Sequence, residues 1–404
     1  MRVLIGASTF PLAPGDGLPR FVFDLADSLA DHARVFALAP DAPGAARSER
    51  MGRVEVRRYP YFWPRRLQAL AYGHGIRENL RASAWARLQP PGLLLAAARA
   101  TRALVRAEAI ELVNSHWIVP QGLASALARG RRARFRHVLS VHAGDVYLLR
   151  RLPFGRALAR FVLRRTDLCL AVGSHVKESL DALLGYPSRA LLQPMGAHVA
   201  LFRGGAAAPR EPSPFAAGHL LFTGRFSEKK GAATLLRALP RVLERHPGLG
   251  LVLIGYGSLE AELRREVERL GIAPAVLFAG RLGHEEIARW LRGCRAAVVP
   301  SVVDRFGETE GMPTVVVEAM AAGARVVGSE VDGIPDVLRH GENGWLARPG
   351  DPEDLAAKIL LALAEPAGSP LLRKSRETAD SLDWSRVARR YAEAFARALG
   401  APAD

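Results

Sequence analysis

Short apolar runs of four to six residues recur along the chain, separated by longer stretches in which apolar positions return every third or fourth residue. A run without polar alternation suits a strand covered on both faces, and the helical period between runs supplies the cover. The pattern predicts parallel sheets with crossover helices. Strand candidates in the first half are residues 3–7, 35–39, 54–59, 110–115, 137–141 and 168–172; in the second half they are 220–223, 250–254, 276–279, 296–300 and 325–328. Between the halves, RGGAAAPREPSPFAAG at 203–218 carries no period and is rich in Gly, Ala and Pro, as a linker is.

The expected fold class is α/β: two Rossmann-like βα domains facing across a cleft, at 1–203 and 218–380, joined by a linker at 204–217. A helical pattern over 384–399, within the segment 381–404, is expected to pack back on the first domain. At 404 residues the chain is too long for one ordinary core, which agrees with this division. Ligands of such sheets bind beyond the carboxyl ends of the strands, so chemistry is sought in the loops there.

Composition changes this picture in two ways. No window of eighteen apolar residues lacks a charged side chain, and the chain enters a strand at once, so neither a membrane span nor a signal peptide is expected. The expectation is a cytoplasmic protein, soluble or peripheral on the inner face of the plasma membrane. The two cysteines, Cys169 and Cys294, lie in apolar contexts and read as core thiols without a disulfide or metal role. Net charge is +16, and it is uneven: residues 1–200 hold 29 Lys and Arg against 14 Asp and Glu, whereas residues 201–404 hold 27 against 26. Clusters at Arg129, Arg131, Arg132, Arg134 and Arg136, and at Arg150, Arg151, Arg156, Arg160, Arg164 and Arg165, suit an anionic membrane surface or a polyanion. They belong to no recognisable nucleic-acid-binding module, so no nucleic acid is expected.

Two motifs carry chemistry. The stretch VPSVVDRFGETEGMPTVVVEAMAAG, residues 299–323, sets Glu310 in a polar loop after a strand and Glu318 in the first half of a helix whose entrance is marked by Gly311 and Pro313. In isolation such acids are ordinary solvated side chains. At a strand end, a carboxylate and helix-start amides together suit neutral hydroxyls and anionic oxygens, which is the chemistry of a sugar. The second motif, GRFSEKKG at 224–231, follows the strand HLLFTG and brings Arg225, Lys230 and a helix start to one turn, as a diphosphate requires. Gly255-Tyr256-Gly257 also follows a strand but lacks a third glycine and reads as a turn.

GRFSEKKG, PSVVDRFGETEGMPTVVVEAMAAGARVVGSEVDGIPDVL and HGENGWLARPGDPEDLA resemble the donor domain of glycosyltransferase family 4, the group 1 retaining enzymes of the GT-B fold. PGDGLPRFVFDLADSLA, NSHWIVPQG, VLSVHAGDVY and AVGSHVKESL in the first half resemble it more loosely, and the likeness spans nearly the whole chain. The resemblance implies that 218–380 binds a nucleotide-sugar donor and 1–203 the acceptor. It further implies that Glu310 faces the transferred sugar, Glu318 the ribose, and Arg225 and Lys230 the diphosphate, while Gly311, Met312, Pro313 and Thr314 meet donor hydroxyls. Gly17 matches a glycine-rich loop that approaches the diphosphate, and His142 a histidine at the reaction centre. His116, Trp117 and Asp145 are candidate acceptor contacts. The sequence departs from the family in having Asp16 before Gly17 and His198 where an Asp is usual.

The implied reaction transfers a sugar, with retention, from a UDP- or GDP-sugar to an acceptor hydroxyl on a lipid-linked saccharide or polysaccharide. Neither cofactor nor metal is expected, since no carboxylate or histidine cluster has ligand spacing. A nucleotide-sugar epimerase or hydrolase of the same architecture, or a non-enzymatic polyanion binder, is the alternative.

Overall fold

The computed structural model describes residues 1–12, 20–72, 76–130, 135–205, 210–307, 309 and 311–400. Two compact units divide the chain. The first comprises Met1–Val172, Val176–Met195 and Trp384–Asp404, and the second Gly173–His175 and Gly196–Asp383.

Eight strands build the first unit's sheet: β1 (Arg2–Gly6), β2 (Arg34–Pro40), β3 (Ser48–Met51), β4 (Val54–Tyr59), β5 (Leu112–His116), β6 (Arg136–Val141), β7 (Leu168–Ala171) and β8 (Leu191–Leu192). Their order is β3-β4-β2-β1-β5-β6-β7-β8, parallel throughout except for the antiparallel pair β3–β4. The chain leaves β1 toward β2 on one side and resumes at β5 on the other. The carboxyl ends of β1 and β5 therefore border a topological switch point, where the flanking loops diverge and leave a crevice.

The second unit repeats this plan with β9 (His219–Thr223), β10 (Gly250–Ile254), β11 (Val276–Gly280), β12 (Ala296–Val299), β13 (Val326–Ser329) and β14 (Trp345–Ala347), ordered β11-β10-β9-β12-β13-β14. Its switch point lies between β9 and β12. Alternate residues of the same strands feed two cores: Leu220, Leu251, Leu253 and Val298 pack on one face, and Leu221, Val252, Ile254 and Val299 on the other. That is the period-two consequence of a sheet buried on both sides, and it explains why these strands read as unbroken apolar runs.

The helix Trp384–Leu399 buries Trp384, Val387, Ala388, Tyr391, Ala394 and Phe395, a stripe at helical spacing. It packs on the helix Phe21–Leu29 and on β6 of the first unit, where the Tyr391 hydroxyl lies 3.8 Å from Met195 Sδ. The α/β class and the return of this helix agree with the sequence pattern.

Strands β3, β8 and β14 were not legible in that pattern. β3 is a polar edge strand, while β8 and β14 have only two and three residues. In the 203–218 stretch, the helix Val199–Arg203 already belongs to the second unit, with Phe202 buried. The Glu211 amide donates to Arg289 O and the Phe215 ring covers Gly250, so residues 210–218 lie packed against that unit.

Candidate functional site

In the second unit the two motifs occupy the loops on either side of the switch point, after β9 and after β12. They are stitched together by hydrogen bonds. The Val302 amide donates to Lys229 O at 2.9 Å, and the Arg305 amide to Glu228 Oε1 at 3.0 Å. Gly231 lies directly under the Pro300 carbonyl, at a φ of 68°; a Cβ there would stand 1.7 Å from that oxygen. Only glycine supplies both the left-handed turn and the close approach.

Lys230 closes the single turn Glu228–Lys230, ahead of the helix Ala232–Arg245. Its methylenes fold back over Gly224 at the end of β9, 3.5 to 3.7 Å from where a Cβ would sit. Arg225 follows immediately and is exposed. The side-chain stem of one cation thus passes over the strand end that carries the other. The turn at Tyr256 after β10 supports the same loop, since the Phe226 amide donates to Tyr256 O at 2.8 Å and the Leu259 amide to Phe226 O at 3.2 Å.

After β12, Pro313 is the buried N-cap of the helix Thr314–Ala321, with Gly311 and Met312 half-buried ahead of it. Glu318 is the fifth residue of that helix and is half-buried. Gly311 is held from β13's loop, where the Gly333 amide donates to Gly311 O at 3.0 Å and a Cβ on Gly333 would lie 2.2 Å from the same oxygen. Gly333 was missed by sequence reasoning; its only signal was a lone glycine in SEVDGIP, after a strand. Glu310 and Gly17 lie outside the described residues.

In the first unit, the residues gather at the carboxyl ends of β5 and β6. His116 ends β5 and is fully buried; His142 is the N-cap of the helix Ala143–Arg151. His116 Nδ1 and His142 Nε2 are 3.1 Å apart. Burial pushes His142 down to about 3, and burial with its neighbour His142 pushes His116 well below the usual imidazole range. Both rings are therefore neutral near pH 7, and one proton joins them. His116 Nε2 is buried and meets no partner among the described residues. A stranded lone pair is more tolerable there than a stranded N–H. The favoured tautomer has His116 Nδ1–H donating to His142 Nε2, which leaves His142 with a proton on Nδ1 and makes it a donor.

Asp145 is 3 % exposed, and its carboxylate accepts the His142 amide at 3.1 Å and the Ile118 amide. Burial pushes its acid up to about 7 against those amides, which favour the charged form. It ties the β5 loop to the β6 loop, so it positions the pair rather than presenting itself to an acceptor. Trp117 is half-buried at φ 70° and ψ 139°, a conformation costly for a side chain other than glycine and held by its amide bond to Ser140 O at 2.9 Å. Its ring stands 5.0 Å from His142 and 5.8 Å from Phe21, and Phe21 stands 5.3 Å from His142. Of the three candidate acceptor contacts, only Trp117 offers a partly exposed face; Phe21, the first residue of the helix Phe21–Leu29, joins it. Among the described residues no group of three or more His, Cys, Asp or Glu side chains could hold a metal ion.

Two family models match the chain in succession: Glycosyltransferase Family 4 over residues 15–201 and Glycosyl transferases group 1 over residues 217–365. The chain belongs to the group 1 glycosyltransferases of family 4. It is a glycosyltransferase of the GT-B class, built from two parallel-sheet α/β domains. It is 28% identical to an uncharacterized glycosyltransferase of Methanocaldococcus jannaschii over 284 residues, 70% of this chain and 74% of that one. Over 191 residues, 46% of this chain and 48% of the other, it is 36% identical to the phosphatidyl-myo-inositol mannosyltransferase of Mycobacterium tuberculosis. Among solved structures it resembles Anabaena HepE in complex with UDP-glucose, with a TM-score of 0.69 at 17% identity, covering 98% of this glycosyltransferase and 100% of that chain. That likeness speaks for the fold alone.

Proposed function

We propose that this glycosyltransferase moves a hexosyl group, with retention and without a metal, from a UDP- or GDP-sugar to a hydroxyl of a lipid-linked or polysaccharide acceptor. The observation that carries the reading is the meeting of GRFSEKKG with the start of the loop after β12, at Pro300, Val302 and Arg305, beside the second unit's switch point, where a βα sheet binds its ligand. Arg225 and Lys230 face the diphosphate, and they supply the positive charge that a metal gives in other transferases. The Gly311–Thr314 backbone meets the sugar hydroxyls, Glu318 the ribose, and Glu310 the transferred sugar. By the family resemblance, Gly17 meets the diphosphate.

In the transfer, the bond from the anomeric carbon to the phosphate oxygen breaks while that carbon bonds to the acceptor oxygen. The acceptor's proton passes to the departing phosphate oxygen, on the same face. Charge grows on the diphosphate as the bond opens, so the cations act most strongly on the transition state. His142, neutral and donating from Nδ1, serves as a hydrogen-bond donor to a sugar hydroxyl and not as a general base. That a solved structure with this fold is a UDP-glucose complex supports the donor class.

The test is a panel of nucleotide sugars screened for protection against thermal unfolding, because a ligand of the native state raises apparent stability. The protecting donor is then turned over with acceptor in excess chelator, and the product's anomeric configuration is read by proton NMR. Retention at full rate is expected; inversion, or loss of turnover on chelation, overturns the mechanism.

A further inference from the structure

Between Asp145 and Asp167 the sequence holds six arginines and no acid. These residues form two helices, Ala143–Arg151 and Gly155–Leu163, joined by the turn Leu152-Pro153-Phe154. Phe154 is 79% exposed and Leu152 44%, at the tip of that turn. Arg150, Arg151 and Arg156 flank it and are also exposed. A groove of ≈ 510 Å³ opens beside the turn, lined by Phe154 and Phe161 and by Arg156, Arg160, Arg164 and Arg165.

The bland role of these arginines is visible and partial. Arg156 Nε donates to Leu183 O at 2.9 Å and Arg160 Nη2 to Leu184 O at 2.6 Å, which caps the helix Ser174–Leu184. Those bonds fix the guanidinium groups at the groove wall, and each keeps further N–H donors. Capping does not explain Phe154. An apolar ring held out in water and ringed by cations without acids complements a surface that is apolar beneath and anionic on top. The other basic run differs: its described members Arg129 and Arg136 are both paired with Asp167, and Arg131, Arg132 and Arg134 lie outside the described residues.

We infer that the Leu152–Phe154 turn is a membrane-docking tip that inserts Phe154 among the lipids of an anionic bilayer while the surrounding arginines take the phosphate headgroups. The same helix connects this tip to the chemistry. Ala143–Arg151 begins at His142 and ends at the turn, and its nine residues span about 13 Å at the helical rise. Docking holds His142 within that distance of the inserted turn, and so within reach of a saccharide carried on a lipid phosphate. This deepens the proposed function by choosing the lipid-linked acceptor over the free polysaccharide, and it rests on that reading only for the acceptor.

The experiment uses the full chain with vesicles of phosphatidylcholine alone and of phosphatidylcholine with about 30% phosphatidylglycerol, a mixture of roughly physiological anionic content. Wild type is expected to float with the anionic vesicles at least tenfold better than with the neutral ones. Phe154→Asp is expected to lower that binding at least tenfold, and Phe154→Ala severalfold. In Phe154→Trp, the added fluorescence is expected to be quenched by brominated acyl chains. Absence of flotation, or flotation that depends on salt but not on residue 154, overturns the inference; the latter outcome identifies a generic polyanion surface. Turnover of a water-soluble acceptor analogue is expected to be unchanged in Phe154→Asp. If turnover is absent even in wild type while docking holds, the proposed reaction fails and the docking tip stands.

Discussion

Replacing Gly333 by alanine tests whether the Gly311–Thr314 loop is positioned as the reaction needs. The Cβ introduced by Gly333→Ala would start 2.2 Å from Gly311 O and 3.4 Å from Met312 Cα, and real Cβ atoms do not approach closer than 3.0 Å. Either Gly311 or the Gly333 turn must therefore move by about 0.8 Å, the distance that relieves the contact. The hydrogen bond from the Gly333 amide to Gly311 O, 3.0 Å long, is strained or lost with it, at a cost of about 1 kcal/mol. Misplacing a substrate-holding group by about 1 Å costs on the order of 10²-fold in rate. The expected result is a fall of about that size in kcat/KM for the donor, with a Tm lowered by only a few degrees. Steady-state kinetics with the protecting nucleotide sugar, and calorimetry on the same preparations, provide the two readouts. A Gly333→Ala enzyme within threefold of wild type would refute the placement of this loop at the donor. A global unfolding transition displaced by tens of degrees would mean that Gly333 matters to the fold and not to the site.

Lys230→Ala is expected to lower kcat/KM by about 10² to 10³, because the lost cation acts on charge that develops in the transition state; KM alone rising, with kcat intact, would assign it to ground-state binding. Asp145→Asn leaves one acceptor oxygen for the two amides of Ile118 and His142, so urea unfolding is expected to show a loss of about 1 to 3 kcal/mol; a change under about 0.5 kcal/mol would show that the β5 and β6 loops hold themselves. In nitrogen-15 NMR of histidine-labelled protein, His142 should carry its proton on Nδ1 and His116→Phe should release that preference; an Nε2–H His142 in wild type rejects the tautomer. Stability should also fall on acidification. His137, His142 and His219, held down to about 4, 3 and 4 by burial, give stability that is present above pH 6.5 and lost as pH drops toward those values. Asp145, raised to about 7, has the opposite sign, giving stability that is lost as pH rises through 7. Three imidazoles outweigh one carboxyl, so the urea midpoint should decline from about pH 6.5 to 4.5, and a rise over that range would contradict their neutral burial.

The class of the fold is legible without coordinates, because a parallel sheet covered on both faces leaves runs such as LLFT and GLVLI that no surface element tolerates. Both loop motifs were legible too, since a glycine-bounded loop between a strand and a helix is a local pattern, and so was the closing helix, through the spacing of Trp384, Val387, Tyr391 and Ala394. Strands of two or three residues were not, having too few positions to show a period. Which candidate side chains are buried and which reach the surface is settled only by how the loops pack. His116, Trp117 and Asp145 look equivalent as polar or aromatic residues at strand ends, yet two are buried and one is half-exposed, and only the neighbouring strand's loop settles which. Gly333 and Gly311 are 22 residues apart in sequence and share one hydrogen bond in space. The two motifs meet because β12 returns beside β9 after β10 and β11 have gone the other way, and that strand order is a property of how the chain packs, invisible in any stretch of it.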